Sequence, residues 1–179
     1  RKLSLAILLI AAAPLANAAD GTITFNGKVT DKTCTIATTG GGNFAVNLPT
    51  VSKSSLATAG AVAGRTPFSI SLTQCTAGNV ATYFEPGSTV DSGTGRLNNQ
   101  TTSGASGGAS NVQLQLLGDN AQFLPIKAAG AGQPQSNSQW ATVGANGAAN
   151  LTYYVEYIAT GAATAGDVTS NIKYTIIYN

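Results

Sequence analysis

The feature that most constrains this chain is a series of short runs in which apolar and polar residues alternate, separated by segments rich in Gly, Ser, Thr and Asn. Successive side chains of a β-strand point to opposite faces, so this period predicts half-buried strands rather than helices. In Pro67–Cys75, for example, Phe68, Ile70 and Leu72 share one face. Similar runs occupy residues 43–48, 80–85, 111–117, 150–159 and 171–179. The rhythm predicts an all-β sandwich or barrel.

Two segments fall outside this rhythm. Ser92–Ser110 has almost no apolar content and predicts a surface loop. Ser52–Ala63 fits a short helical turn. No internal repeat and no linker divides the chain, so we expect a single domain.

The first 18 residues have the composition of a secretory signal peptide. Arg1 and Lys2 give a positive start, Leu3–Ala13 is an apolar run, and Ala16–Ala18 has a small-x-small cleavage pattern. The apolar run is shorter than the roughly 20 residues that a membrane helix needs. A retained N-terminal anchor is the alternative. We therefore expect an exported chain whose mature part is residues 19–179.

The charge of the mature chain argues against a nucleic-acid partner. The full chain has nine basic and seven acidic residues, and removal of Arg1 and Lys2 leaves seven of each. Nucleic-acid binding needs a concentrated basic surface, which a near-neutral chain does not supply. Only 9% of the residues are charged, against about 25% in typical globular proteins. Such a weakly charged, polar surface suits a protein that packs against copies of itself.

Cys34 and Cys75 are the only cysteines in the sequence. In an exported chain a disulfide is the expected state of such a pair, and two free thiols are the alternative. Closing a loop of about 40 residues would stabilise the fold by roughly 4 kcal/mol in the chain-entropy model. A metal site would need more ligands, and the chain has no His. We expect no cofactor.

One motif has the form of a catalytic element. "GASGG" at residues 104–108 matches the G-x-S-x-G pattern of a nucleophile elbow around Ser106. That elbow needs a strand before it, a helix after it and a His that takes the serine proton. Here the flanks have loop composition, there is no His, and the acidic residues are scattered singly. We therefore expect that the protein is not an enzyme.

Both ends of the mature chain also alternate. In "GTITFNGKV" one face carries Gly21, Ile23, Phe25, Gly27 and Val29. In "NIKYTIIYN" one face carries Ile172, Tyr174, Ile176 and Tyr178, and Ile177 is the exception. Taken alone, each run is typical of an ordinary strand in its own domain. Gly27 is unusual in that position, because glycine weakens a strand and fills no pocket.

The two ends and the cysteines resemble the chaperone–usher pilin family, closest to type 1 fimbrial structural subunits. "ADGTITFNGKVTDKTCTI" is similar to the start of mature pilins, and "SLTQC" is similar to their second-cysteine segment. "YIATGAATAGDVTSNIKYTIIYN" is similar to their C-terminus, with a penultimate Tyr at Tyr178 and a Gly fourteenth from the end at Gly166. The resemblance spans the mature chain and is weak through residues 85–145.

The resemblance implies an incomplete immunoglobulin-like sandwich that lacks its last, seventh strand. The missing strand leaves an apolar groove and unpaired backbone groups. A periplasmic chaperone would lend a strand to this groove until, at the outer-membrane usher, the N-terminal extension of the next subunit replaces it by donor-strand exchange. The implied partners are therefore copies of this chain, other pilins, the chaperone and the usher. The implied product is a fimbria on the bacterial surface that supports adhesion.

The same resemblance divides the chain into a signal peptide at 1–18, a donor-strand extension at 19–29 and a pilin domain at 30–179. The donor strand would use Gly21, Ile23, Phe25, Gly27 and Val29. Chaperone binding and the groove edge would involve Gly166, Ile172, Tyr174, Ile176 and Tyr178. Gly27 would then face a shallow part of the neighbour's groove. A minor adaptor pilin or a lectin-like tip adhesin is the alternative, although two-domain tip adhesins carry an extra receptor domain and lack the extension.

Overall fold

The computed structural model describes residues 22–101 and 107–179. Within these ranges there are nine strands and one 3₁₀ turn, and no helix is long and apolar enough to cross a membrane. The turn is Lys53–Leu56, as expected within 52–63, and the Ser52 hydroxyl caps it by accepting a hydrogen bond from the Ser54 N–H. The strands are β1 (Thr35–Ile36), β2 (Val62–Thr73), β3 (Asn79–Phe84), β4 (Leu97–Asn98), β5 (Val112–Leu117), β6 (Phe123–Leu124), β7 (Trp140–Thr142), β8 (Ala149–Ala159) and β9 (Tyr174–Tyr178).

The strands form two antiparallel sheets. The first has the order β1-β2-β8-β5-β4, and β6 also pairs with β5. The second has the order β7-β3-β9. Two antiparallel sheets that enclose one apolar core make a β-sandwich. The prediction of an all-β fold is therefore confirmed.

The core lies between the inner faces of the two sheets. The longer strands alternate as the sequence predicts, and Ile70 and Leu72 on β2 are buried while Phe68 packs against them. Tyr153 on β8 is fully buried, with its ring edge-on to Phe84 at 5.1 Å between centroids. Burial raises the pKa of Tyr153. The alternation thus places the apolar faces of both sheets in one core.

The disulfide is confirmed. Cys34 and Cys75 are bonded, with their Cα atoms 4.1 Å apart. They flank the antiparallel pair of β1 and β2, in which Thr35 lies opposite Thr73. The bond ties the start of the domain to the end of β2.

Two expectations about secondary structure are wrong in part. Residues 43–48 alternate in burial, but they are not a strand, because they have no backbone partner in the described chain. The predicted loop Ser92–Ser110 contains β4, and Leu97 in it is buried. Gly108 in the same segment forms a parallel bridge with Asp167. Ser106 lies outside the described residues.

Candidate functional site

An open groove runs along one edge of the sandwich, between residues 43–51 on one side and 163–174 on the other. One end of it has a volume of about 410 Å³ and is bordered by Phe44, Val46, Ile172 and Tyr174. Core side chains from both sheets form its floor, namely Ile70, Phe84, Leu97, Leu114, Leu116 and Val155. Among the described residues no charged side chain lines this end. The core therefore borders an open cleft along this edge, while the floor side chains themselves remain 0–7% exposed.

The groove continues past Leu48 into a second space of about 450 Å³. Val51 and Leu56 line one side of this space, and residues 163–169 line the other. Lys53 and Asp167 add one charge of each sign. Neighbouring stretches of the same two borders line the two spaces, and the first space is apolar while the second is mixed.

One border of the groove, and part of the other, lacks backbone hydrogen-bond partners. In the described chain, no backbone–backbone hydrogen bond involves residues 43–51. β9 pairs with β3 along one edge, and within residues 22–101 and 107–179 no strand covers its other edge. An uncovered edge is a template for another strand. The groove thus combines an apolar floor with free backbone groups along residues 43–51 and at residues 170–172. The backbone of residues 163, 164, 167, 169 and 173 on the second border is bonded to neighbouring segments.

Of the predicted C-terminal set, Gly166, Ile172 and Tyr174 line this groove, whereas Ile176 and Tyr178 line a separate space beside residues 26–32. The four large side chains of the set are half-buried and pack against the core, which places them on one face as the alternation predicts: Ile172, Tyr174, Ile176 and Tyr178. The Tyr174 hydroxyl reaches across and donates a hydrogen bond of 3.0 Å to the Gly42 carbonyl oxygen. Burial raises the pKa of Tyr174. This bond joins the two borders at one end of the groove.

Gly166 lies at the other end, where two backbone segments meet. The Asp167 N–H donates to the Gly107 carbonyl oxygen at 2.8 Å, and the Ala109 N–H donates to the Asp167 carbonyl oxygen at 3.0 Å. Gly166 has φ +154°, and a Cβ on it would lie 2.5–2.6 Å from backbone atoms of residues 107–109. Only glycine allows so close an approach of two main chains. The structure therefore gives Gly166 a role in the groove wall.

Asn99, which no sequence pattern predicts, joins the backbone segments at the same end of the groove by hydrogen bonds. Its Nδ2 donates to the carbonyl oxygens of Ala109 (2.9 Å) and Asp167 (3.0 Å). Its Oδ1 accepts from the N–H groups of Thr101 and Thr169, both at 3.0 Å. One amide therefore uses both donors and both lone pairs to join three segments. In the sequence Asn99 is one polar residue in a polar stretch, so no local signal distinguishes it.

The predicted donor residues lie outside their own groove. Ile23, Phe25 and Val29 are 79%, 88% and 99% exposed. In the described chain, residues 22–29 form no strand and take part in no hydrogen bond. A Cβ on Gly27 would meet nothing within 4 Å, so its own subunit does not require glycine there. Gly21 lies outside the described residues.

The residues that follow this segment are hydrogen-bonded to the C-terminal end of β9. The Lys32 ammonium donates a hydrogen bond of 2.7 Å to the backbone oxygen of Asn179. Gly78 lies beneath it, and a Cβ there would come within 2.9 Å of the Lys32 nitrogen. The exposed run therefore leaves the domain next to the C-terminal end of β9. Across residues 22–101 and 107–179, no group of three or more His, Cys, Asp or Glu side chains is placed to hold a metal ion.

Comparison with known proteins shows where this arrangement belongs. The family model described as "FimA: Type-1 fimbrial protein, A" matches residues 48–179. The chain is 76% identical over 172 residues to the major fimbrial subunit SMF-1 of Stenotrophomonas maltophilia (strain K279a), which covers 96% of this chain and 100% of that protein. It is 48% identical over 181 residues to the F17 fimbrial protein of Escherichia coli, with 97% and 96% covered.

A solved structure of a chaperone–usher pilus matches with a TM-score of 0.60 and 20% identity, over 93% of this chain and 100% of that chain. At this identity the match supports the fold, an incomplete immunoglobulin-like sandwich, while the two relatives and the family model support the family. The chain belongs to the type-1 fimbrial protein family and is a structural subunit of a fimbria.

Proposed function

We propose that this subunit polymerises head to tail, with residues 21–29 of one copy filling the groove of the next. One observation carries the proposal: the apolar side chains Ile23, Phe25 and Val29 are exposed, while the same fold has an open apolar groove whose border at residues 43–51 has free backbone groups. Main-chain hydrogen bonds would supply affinity, and alternate side chains would enter the groove. Because the two surfaces of this contact differ, it does not close on itself and gives a filament.

The dimensions and energies fit this proposal. Nine extended residues span roughly 30 Å at about 3.3 Å per residue, which is long enough to follow a sandwich edge. Ile23, Phe25 and Val29 are almost fully exposed, so nearly all of their apolar area is available for burial. Each would contribute about 1.5–3 kcal/mol, from which the cost of ordering the segment is subtracted. Gly27 would lie where the neighbour's backbone or a large side chain approaches closely.

We further propose the route to the filament. An uncovered apolar edge favours aggregation, which supports a role for a periplasmic chaperone that covers the groove until exchange takes place at the outer-membrane usher. Gly166, Ile172 and Tyr174 in the groove wall, together with Ile176 and Tyr178 further along β9, would form the chaperone-binding edge. Residues 1–18 would direct export and be removed, leaving the extension at 19–29 and the domain at 30–179 on the bacterial surface.

We also propose that the chain is a major shaft subunit without catalytic activity. Its 76% identity to a protein named as a major fimbrial subunit favours that role over a minor adaptor or a tip adhesin. The polar groups at the groove, such as the Asn99 amide and the Tyr174 hydroxyl, are engaged in hydrogen bonds that hold the groove walls. Their arrangement supports a structural function.

A pair of matched variants tests the donor assignment. Phe25→Ala should leave the stability of the subunit unchanged, because Phe25 is 88% exposed. It should weaken insertion by about 3–5 kcal/mol if the ring becomes buried in a neighbour, which is more than hundredfold in affinity. Thr24→Ala is the control, because Thr24 lies on the opposite face. Fibre yield by electron microscopy and the amount of denaturant-resistant polymer are the readouts. Equal assembly of the two variants would refute the proposal.

A further inference from the structure

We propose that Asn26 is a site of spontaneous deamidation, which limits how long an unassembled subunit keeps a usable donor strand. The sequence has two Asn-Gly pairs, Asn26–Gly27 and Asn146–Gly147. The structure places them in opposite environments. The effect on assembly rests on the proposed function, whereas the chemistry at Asn26 does not.

The reaction needs only water and a free backbone nitrogen. The Gly27 nitrogen loses its proton and attacks Cγ of Asn26, a C–N bond forms, and the side-chain nitrogen leaves as ammonia. The product is a cyclic succinimide between residues 26 and 27. Water then opens the ring at either carbonyl, which gives aspartate or isoaspartate at position 26. Glycine in the next position favours the attack, because it has no side chain to obstruct the ring.

No hydrogen bond in the described chain restrains the first pair, which lines an open space beside Ile176–Asn179. Asn26 and Gly27 are exposed, and neither takes part in a hydrogen bond within the described residues. The space around the Gly27 α-carbon is open, with no atom within 4 Å of an added Cβ. The Gly27 N–H is therefore available, and the backbone can reach the compact conformation that ring closure needs.

The second pair is held in a turn. The Gly147 N–H donates to the Gly144 carbonyl oxygen at 2.9 Å, so the attacking nitrogen is occupied. The Asn146 side-chain oxygen accepts from the Ala148 N–H at 3.2 Å, which fixes its orientation. A further bond of 2.8 Å runs from the Gly144 N–H to the Ala148 carbonyl oxygen. Asn146 is thus an internal control with the same local sequence.

Deamidation would alter the donor strand in two ways. Isoaspartate routes the main chain through its Cβ and adds one backbone atom between Phe25 and Gly27, so side chains before and after it no longer share one face. Either product also adds a negative charge. Insertion would protect Asn26, since the free backbone groups of residues 43–51 and of residues 170–172 would engage the entering strand. The assembled fibre would then preserve what the free subunit loses.

Mass spectrometry of peptides tests the chemistry directly. Unassembled subunit and fibres sheared from the same cells are incubated side by side at neutral and mildly alkaline pH. In the free subunit we expect Asn26 to deamidate about tenfold or more faster than Asn146, because opening a turn with its hydrogen bonds costs that factor. In fibres the rate at Asn26 should fall to that at Asn146. Equal rates at the two sites in the free subunit would overturn the proposal.

An ageing experiment tests the effect on assembly. Fresh and aged wild-type subunits are compared with fresh and aged Asn26→Gln, because glutamine forms the corresponding ring far more slowly. Aged wild type should lose incorporation in proportion to its modified fraction, and aged Asn26→Gln should not. If modified chains assemble as fresh ones do, the proposed limit is wrong, although Asn26 still reacts. If Phe25→Ala also assembles normally, the donor assignment itself fails, whatever the mass spectra show.

Discussion

Removing the Asn99 side chain should loosen the end of the groove at Gly166. Asn99→Ala removes four hydrogen bonds of 2.9–3.0 Å and leaves two N–H groups and two carbonyl oxygens without that partner. A typical intramolecular hydrogen bond contributes about 0.5–1.5 kcal/mol net. The groups are only partly buried, so water replaces some of the loss, and we expect a cost of about 2–3 kcal/mol in the free energy of unfolding.

Urea unfolding of the purified subunit measures this cost. With a slope of about 1–3 kcal/mol per molar urea, the midpoint should fall by roughly 1–2 M. Gln100→Ala is the matched control, because its side chain makes a single exposed hydrogen bond of 3.3 Å to the Asn98 carbonyl oxygen. It should change stability by less than about 0.5 kcal/mol. Equal midpoints for the two variants would refute the reasoning.

Asn99→Asp tests the two donor hydrogen bonds of this side chain apart from its two acceptor hydrogen bonds. The aspartate keeps an oxygen for Thr101 and Thr169 but directs a second oxygen at the carbonyl oxygens of Ala109 and Asp167. This repulsion should raise the pKa of Asp at position 99 above its unfolded value of about 3.9. The destabilisation is then full above the folded pKa and declines as the pH falls through it, because the protonated acid can donate. No gain in stability at low pH relative to Asn99→Ala would contradict this account.

Three further changes test other parts of the structure. Gly27→Leu should alter the stability of the subunit by less than about 0.5 kcal/mol, since the space around Gly27 is open. It should slow strand exchange, because a neighbour would approach this position closely. Normal polymerisation kinetics would contradict that close approach. Gln135→Ala should lower the free energy of unfolding in urea by about 2–4 kcal/mol. The buried Gln135 amide is hydrogen-bonded to both the N–H (3.1 Å) and the carbonyl oxygen (2.6 Å) of Phe84. A change below about 0.5 kcal/mol would refute this prediction. Reducing the Cys34–Cys75 disulfide, whose cysteines are 41 residues apart, should lower the free energy of unfolding by roughly 4 kcal/mol. An unchanged urea midpoint in the presence of reductant would contradict this.

The long strands could be predicted from the sequence because each repeats its pattern several times. β2 and β8 contain 12 and 11 residues and β5 contains six, so the apolar residues fall on one face often enough to be recognised. β1, β4 and β6 have two residues each. A pair of residues has no period, and tertiary contacts alone decide its conformation. Because β4 has only two residues, the sequence predicts a loop there.

The groove could be predicted only in part for the same reason. Its apolar borders follow from the alternation at residues 43–48 and 171–179, which is a local property. Asn99 instead acts through partners that are 10 and 68 residues away. Nothing next to it in the sequence indicates which of many polar side chains the fold will place there. Hydrogen-bond clamps of this kind become visible only once the strands are arranged.

Two segments have the pattern of a strand but no strand partner in their own chain. Residues 43–48 alternate in burial without a backbone hydrogen bond, and residues 22–29 alternate in sequence while their apolar side chains remain exposed. An isolated failure of this kind would indicate a weak prediction. Here the two failures are complementary. Residues 22–29 have exposed apolar side chains with no surface to pack against, and residues 43–48 border an apolar groove with no strand packed in it. The proposed exchange between subunits accounts for both, since a sequence can encode a strand whose hydrogen-bond partner lies in another molecule.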